Sequence, residues 1–240
     1  MVKVIVHIAK AIVAVVISLL CFSCGFDSLS GNGNVTSQNR TVTGTFNSVS
    51  VQEDLEVIIQ QGPVQSVTVN ADENFQEHII TEVKGNELKI STDTNIGSGT
   101  KKITVILPNV ESLSTESSAT INSQGSIKSD AMKLSASGGS SIKINVNGKN
   151  VECETNNGSH IEITGQVENL QVSASSGGNI NAKALKAENV KADASKGGET
   201  TVNPTDKLSA DASSGGKVFY VTTPEKLKKN ASSGGVVSQL

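Results

Sequence analysis

Two acids stand one repeat apart late in the chain. Asp193 opens the string Asp193-Ala-Ser-Lys-Gly-Gly-Glu-Thr200, and Asp211 opens Asp211-Ala-Ser-Ser-Gly-Gly-Lys-Val218. The equivalent positions in related strings are Ser114, Ser135, Glu154, Ser173 and Asn230. Two carboxylates on one face, one layer apart, could share a cation or a proton, and such pairs act on glycosidic bonds. The companions of that chemistry are missing. No aromatic stands beside them in the sequence to stack on a sugar, and no Arg lies in 41–240 to hold a carboxylate substrate. The expectation is a solvent-facing position that carries acids, with no catalytic residues.

The other chemistry-bearing residues give less. His7 sits near the N-terminus, and His78 and His160 are 82 residues apart without a neighbouring ligand motif, so no zinc site is expected. Calcium-binding repeats need a regular Asp after Gly-x-Gly. Here Ser, Asn, Glu, Lys and Val follow the Gly-Gly pairs, so no metal and no cofactor are expected. Cys153 falls in an apolar column, described below, and is expected to be a packed small hydrophobe.

What must position these residues is a repeat. The strings Ser135–Ile142, Glu154–Ile161, Ser173–Ile180, Asp193–Thr200, Asp211–Val218 and Asn230–Val237 share one pattern, with a degenerate first copy at Ser114–Ile121. Their last residues are spaced 21, 19, 19, 20, 18 and 19 apart. A unit of this length is too short for two helices, and its Gly-Gly pairs and β-branched residues oppose helix. Alternate positions before the turn are apolar or small: Met132, Val151, Leu170, Val190, Leu208, Leu227, then Leu113, Leu134, Cys153, Val172, Ala192, Ala210. A third column is Ala136, Thr155, Ala174, Ala194, Ala212, Ala231. Period two points these inward from a strand. Residues 111–240 are therefore expected to form a right-handed parallel β-helix, or solenoid, of about seven rungs of about 19 residues. The Gly-Gly corner is attributed to the tolerance of Gly for positive φ.

Residues 43–110 alternate differently, with runs around Val49–Val51, Leu55–Ile59, Val67–Val69, Leu88–Ile90 and Ile103–Leu107. They are expected to pair as a curved sheet that caps the first rung. Charge is nearly balanced, Lys+Arg 20 against Asp+Glu 23, which excludes a nucleic-acid footprint. Aromatic content of 2% leaves the core to small aliphatic side chains.

The N-terminus carries an export signal: Lys3 and Lys10, the apolar run Ala11–Leu20, then Cys21-Phe-Ser-Cys24-Gly25. Residues 1–23 resemble a bacterial lipoprotein signal, which implies that Cys24 is lipidated. Gly25 in place of an Asp favours an outer-membrane destination. Residues 24–42 are polar and Gly/Asn/Ser-rich and are expected to form a flexible tether.

Over residues 43–240 the chain resembles the putative auto-transporter adhesin, head GIN domain family of bacterial envelope proteins. The resemblance rests on Phe46-Asn-Ser-Val-Ser-Val51, Leu55-Glu-Val-Ile-Ile59, Val67-Thr-Val-Asn-Ala-Asp72, Leu88-Lys-Ile90 and the recurring Ala-Ser-Ser-Gly-Gly turns. It implies a β-helix and an envelope location, and it supplies no catalytic residues.

The expected function is a non-enzymatic, lipid-anchored envelope protein that recognises a surface glycan or an envelope or host protein. The candidate face comprises Lys133, Glu152, Gln171, Lys191 and Ser209, beside Glu154, Ser173, Asp193 and Asp211. The alternatives are a pectinase-like enzyme and a purely structural envelope component. End-to-end oligomerisation is compatible with an exposed last rung.

Overall fold

The computed structural model describes residues 28–240. The export signal and Cys24 lie outside the described residues. The described residues run through sixteen strands. The first seven are β1 (Val35–Arg40), β2 (Ser48–Val51), β3 (Glu56–Gln61), β4 (Ser66–Asp72), β5 (Ile79–Lys84), β6 (Glu87–Thr92) and β7 (Lys101–Leu107). Next come β8 (Ser112–Thr115), β9 (Thr120–Ala136), β10 (Ser141–Thr155), β11 (His160–Ala174), β12 (Asn179–Ala194) and β13 (Glu199–Ala212). The last are β14 (Lys217–Tyr220), β15 (Lys226–Ala231) and β16 (Val236–Gln239). Among the described residues the only helical turn is a short 3-10 turn at Glu73–Phe75.

From β8 onward every pairing is parallel, and successive coils stack in register as a β-solenoid of about seven turns. The column Ile121, Ile142, Ile161, Ile180, Thr200, Val218, Val237 consists of register partners throughout. So does the column Leu113, Leu134, Cys153, Val172, Ala192, Ala210, whose members are all buried. Like side chains fill the interior rung by rung because a parallel ladder repeats each side-chain position without shift. The inward column continues into β15 as Lys229, the partner of Ala210, whose ammonium lies over the ring of buried Tyr220 at 5.6 Å.

The N-terminal strands do more than pack on the first rung: two pairs of them extend the same ladder. β2 pairs in parallel with both β8 and β6, and β3 pairs in parallel with both β9 and β7. The first coil in sequence is thus sandwiched between the second coil and the start of the repeats. Val49 and Val51 continue the Leu113 and Thr115 columns, and Val57 continues the Ile121 column. Only β4, β5 and β1 run antiparallel, closing this end.

The expected tether contains one of these closing strands. Val35–Arg40 lies along β4 through six register pairs. Gln76 fastens it: its side-chain amide donates to the Thr36 carbonyl at 2.9 Å, and Arg40 Nη2 donates to the Gln76 carbonyl at 2.5 Å. The composition of Val35-Thr-Ser-Gln-Asn-Arg40 conceals a strand because edge pairing is made by backbone groups and needs no apolar face.

The corner also corrects the expectation about its two glycines. In Ser175-Ser-Gly-Gly178 positive φ falls on Ser176 (50°) and Gly177 (74°), and the amide of Gly178 donates to the Ser175 carbonyl at 2.8 Å. Positive φ at both central residues is the pattern of a type I′ turn. The second glycine of this corner and of the three that follow has no positive φ, whereas at Gly138 (63°) and Gly139 (73°) the pair is shifted by one residue and both carry it. In the later rungs a Cβ on Gly198, Gly216 or Gly235 would collide with the carbonyl of the preceding rung, at Ala174, Ala194 and Ala212 respectively, while Ser140 and Ser159 hold the equivalent position in two earlier rungs. Successive corners are also joined directly, as Gly197 donates to the Ser214 carbonyl at 3.2 Å.

Candidate functional site

Each long strand has two legs. In β10, Ile142, Ile144 and Val146 point inward on the first leg, and Val151, Cys153 and Thr155 on the second. The legs meet near Gly148, where a Cβ would strike the carbonyl of Ser129 one rung below. A groove of about 840 Å³ runs across the rungs just beyond this bend.

Three parallel columns build the groove. One rim is Ala131, Asn150, Asn169, Asn189 and Lys207, all register partners. The opposite rim is Lys133, Glu152, Gln171, Lys191 and Ser209. Between them runs the strand backbone at Met132, Val151, Leu170 and Val190, whose side chains turn into the core at 2–4% exposure. None of the side chains lining the groove is aromatic.

The asparagines form a ladder. Asn169 Nδ2 donates to Asn150 Oδ1 at 3.0 Å, and Asn189 Nδ2 donates to Asn169 Oδ1 at 3.1 Å. Identical amides one rung apart can bond in this way because the rung spacing matches a side-chain hydrogen bond chain. The sequence signal was present, since an Asn precedes the first inward residue of the second leg in three successive repeats. It was missed because the alternating apolar columns dominate the pattern.

The face expected from sequence divides in two. Lys133, Glu152, Gln171, Lys191 and Ser209 line the groove, whereas Glu154, Ser173, Asp193 and Asp211 form a separate column two residues further along each strand. Lys133 links the two, reaching Glu154 at 3.2 Å and Glu152 at 3.7 Å. Its pKa is raised, chiefly by the hydrogen bond to Glu154; desolvation, the next influence, opposes this, and the negative charges of Glu154 and Glu152 add to the rise. Asp193 and Asp211 are register partners, as expected, and each has another companion: Lys191 at 3.6 Å from Asp193, and Asn230 at 3.1 Å from Asp211. Cys153 is fully buried, and desolvation, with a contribution from the Glu152 charge, pushes its thiol far above the usual range. His160 occupies an outward column between Ser141 and Asn179.

A second hollow, of about 860 Å³, lies where the N-terminal coils meet, around Glu53, Asp54 and Asp93. Its acids are already engaged. Glu53 accepts from the Thr92 amide at 2.6 Å, Asp54 pairs with Lys101 at 2.6 Å, and Asp93 lies 2.8 Å from His78 Nδ1.

Known proteins agree with this architecture. A putative adhesin from Bacteroides fragilis NCTC 9343 superposes with a TM-score of 0.78 at 18% identity, over 88% of this chain and 99% of that one. A putative lipid binding protein from Parabacteroides distasonis ATCC 8503 gives 0.69 at 20% identity, over 89% and 100%. A putative adhesin from Parabacteroides merdae ATCC 43184 gives 0.68 at 17% identity, over 89% and 99%. At these identities the likeness is one of fold. No curated protein matches the chain. The model of one sequence family matches residues 45–224, which span the N-terminal coils and most of the repeats. By that match and by its solenoid, the chain belongs to the putative auto-transporter adhesin, head GIN domain family.

Proposed function

We propose that this protein is an exported, non-enzymatic recognition module of the bacterial envelope, anchored at Cys24 to the outer membrane, and that the groove beside the Asn150–Asn189 ladder receives its ligand, a glycan or a protein. The observation that carries the reading is the groove itself. It crosses several rungs of a rigid scaffold, and its two rims are lined mostly by polar side chains over a floor of strand backbone. Convergent polar groups around a largely apolar depression are the usual form of a binding site. The pair Asp193 and Asp211 lies outside it, and of the two carboxylates that do line it, Glu111 and Glu152, the second is engaged by Lys133. The family and the similar folds, described as adhesins and as a lipid binding protein, are compatible with an envelope role.

Two measurements test this reading. The full chain, held in detergent micelles, is screened against an array of envelope and host glycans and against a displayed peptide library. Binding that is lost in Gln171→Arg, which fills the groove from one rim, is the expected result. Absence of binding to both sets, or binding indifferent to Gln171→Arg, would overturn it. For the anchor, the wild type should fractionate with membranes and Cys24→Ala should not.

A further inference from the structure

Resting on the reading of the groove as a recognition site, we infer that its ligand is a neutral, linear glycan lying along the solenoid axis, with about one sugar per rung.

The argument begins with spare hydrogen-bonding capacity. An Asn amide has two N–H donors and an oxygen with two lone pairs. Asn169 uses one donor toward Asn150 and one lone pair toward Asn189. One N–H and one lone pair remain, and the ladder orients them alike at each rung. Such a rim offers a donor and an acceptor about every 4.8 Å. A hydroxyl is both donor and acceptor, so a polyhydroxylated chain satisfies both halves of every amide.

The spacing discriminates between polymers. An extended peptide repeats its side-chain direction every two residues, about 6.6 Å. It falls out of step with a ladder of about 4.8 Å within two rungs. A pyranose ring with its linkage spans about one rung and can stay in step along the groove.

Charge selects the neutral class. The lining holds three lysines, Lys133, Lys191 and Lys207, and two glutamates, Glu111 and Glu152. Lys133 is already paired with Glu152 and Glu154, and Lys191 with Asp193, whereas Lys207 at one end of the groove has no carboxylate within 4 Å among the described residues. A polyanion would meet one unpaired cation, Lys207, at one end and would have to break those pairs to gain others along the groove. Between the rims the groove is floored by the strand backbone at Met132, Val151, Leu170 and Val190, whose side chains turn into the core, so no side chain there blocks a sugar ring from lying flat against the rungs. Five rungs line the groove, from Ala131–Lys133 to Lys207–Ser209, so the site is about five sugars long.

The test uses the full chain in detergent micelles. It is titrated with β-1,4-linked gluco-, manno-, xylo- and N-acetylglucosamine oligomers of increasing length, and with oligogalacturonides as charged counterparts. At least one neutral series should bind with affinity rising to about five sugars and then levelling. The side-chain amide signals of Asn150, Asn169 and Asn189 should shift in NMR spectra during that titration. Asn169→Ala should weaken binding about tenfold, and the amide shifts keep the test decisive if that variant is unstable. Stronger binding of the charged oligomers, affinity independent of length, or unmoved Asn amides would overturn the assignment. If no neutral oligomer binds but a peptide library does, with loss in Gln171→Arg, the recognition reading stands and the glycan assignment falls. If neither binds, both fall.

Discussion

Asp193 and Asp211 face each other across adjacent parallel strands as register partners, and each is held by a different neighbour: Asp193 by Lys191 and Asp211 by Asn230. Like charges directly opposite on one face of a sheet are destabilising. The flanking partners moderate that repulsion and leave the pair part-buried on the outside of the solenoid.

Asp211→Asn should therefore stabilise the protein by about 0.5 kcal/mol, because the new amide keeps its oxygen toward Asn230 while losing the charge. Urea denaturation at low and high salt measures it. The gain should shrink in salt, as exposed charge effects do. A loss of stability would mean that the pair is held by something other than these neighbours.

The two glycines of the corner should behave differently. Gly216→Ala drives a Cβ into the Ala194 carbonyl and should cost about 3 kcal/mol or more. Ser214→Gly removes a side chain at φ 51° and should change stability by less than about 1 kcal/mol. Thermal and urea unfolding of the two variants, measured side by side, distinguish them. Equal effects would contradict the close approach of the rungs.

Cys153 makes stability depend on alkaline pH. Its folded pKa is raised by burial, so above the unfolded thiol pKa of about 8.5 the unfolded chain loses a proton that the folded chain keeps. Stability should be fully present below that pH and fall above it, by at most about 1.4 kcal/mol per pH unit. Cys153→Ala should remove this part of the slope while lowering stability at neutral pH. In the native wild type, an aromatic disulfide reagent should label Cys153 only as fast as the protein unfolds. Rapid labelling of folded protein would refute the burial argument. Lys133, with a raised folded pKa, adds stability present below about 10.5 and lost as pH rises through its folded value. Its exposure keeps that contribution small, and the Cys153 variant separates the two.

Thr200 lies in the column of Ile180 and Val218, is fully buried, and its hydroxyl has no hydrogen-bond partner. A buried polar group left unpaired costs about 1–3 kcal/mol. Thr200→Val, equal in shape and apolar, should raise stability by about 1 kcal/mol, read as an increased denaturation midpoint with an unchanged m-value. A decrease would show that the hydroxyl is satisfied in solution.

The amino-acid sequence by itself determined the repeating half of this protein. Each rung from β8 onward contacts its sequence neighbours, so Ile142, Ile161 and Ile180 stack in the order in which they are written, and periodicity alone assigns them to the interior. The position of Cys153 followed from the same rule. Only the tertiary structure decided the N-terminal half, because there spatial order departs from chain order: β3 lies between β7 and β9, and β2 between β6 and β8. No local pattern encodes which coil inserts between two others, nor that polar Val35–Arg40 pairs as an edge strand. The groove fell between these cases. Its charged rim, Lys133 to Ser209, was legible as outward positions of the repeat, and so were its asparagines. That Asn150, Asn169 and Asn189 join in one ladder opposite that rim depends on the bend near Gly148 and on the close stacking of rungs, which distance in space sets and sequence spacing does not.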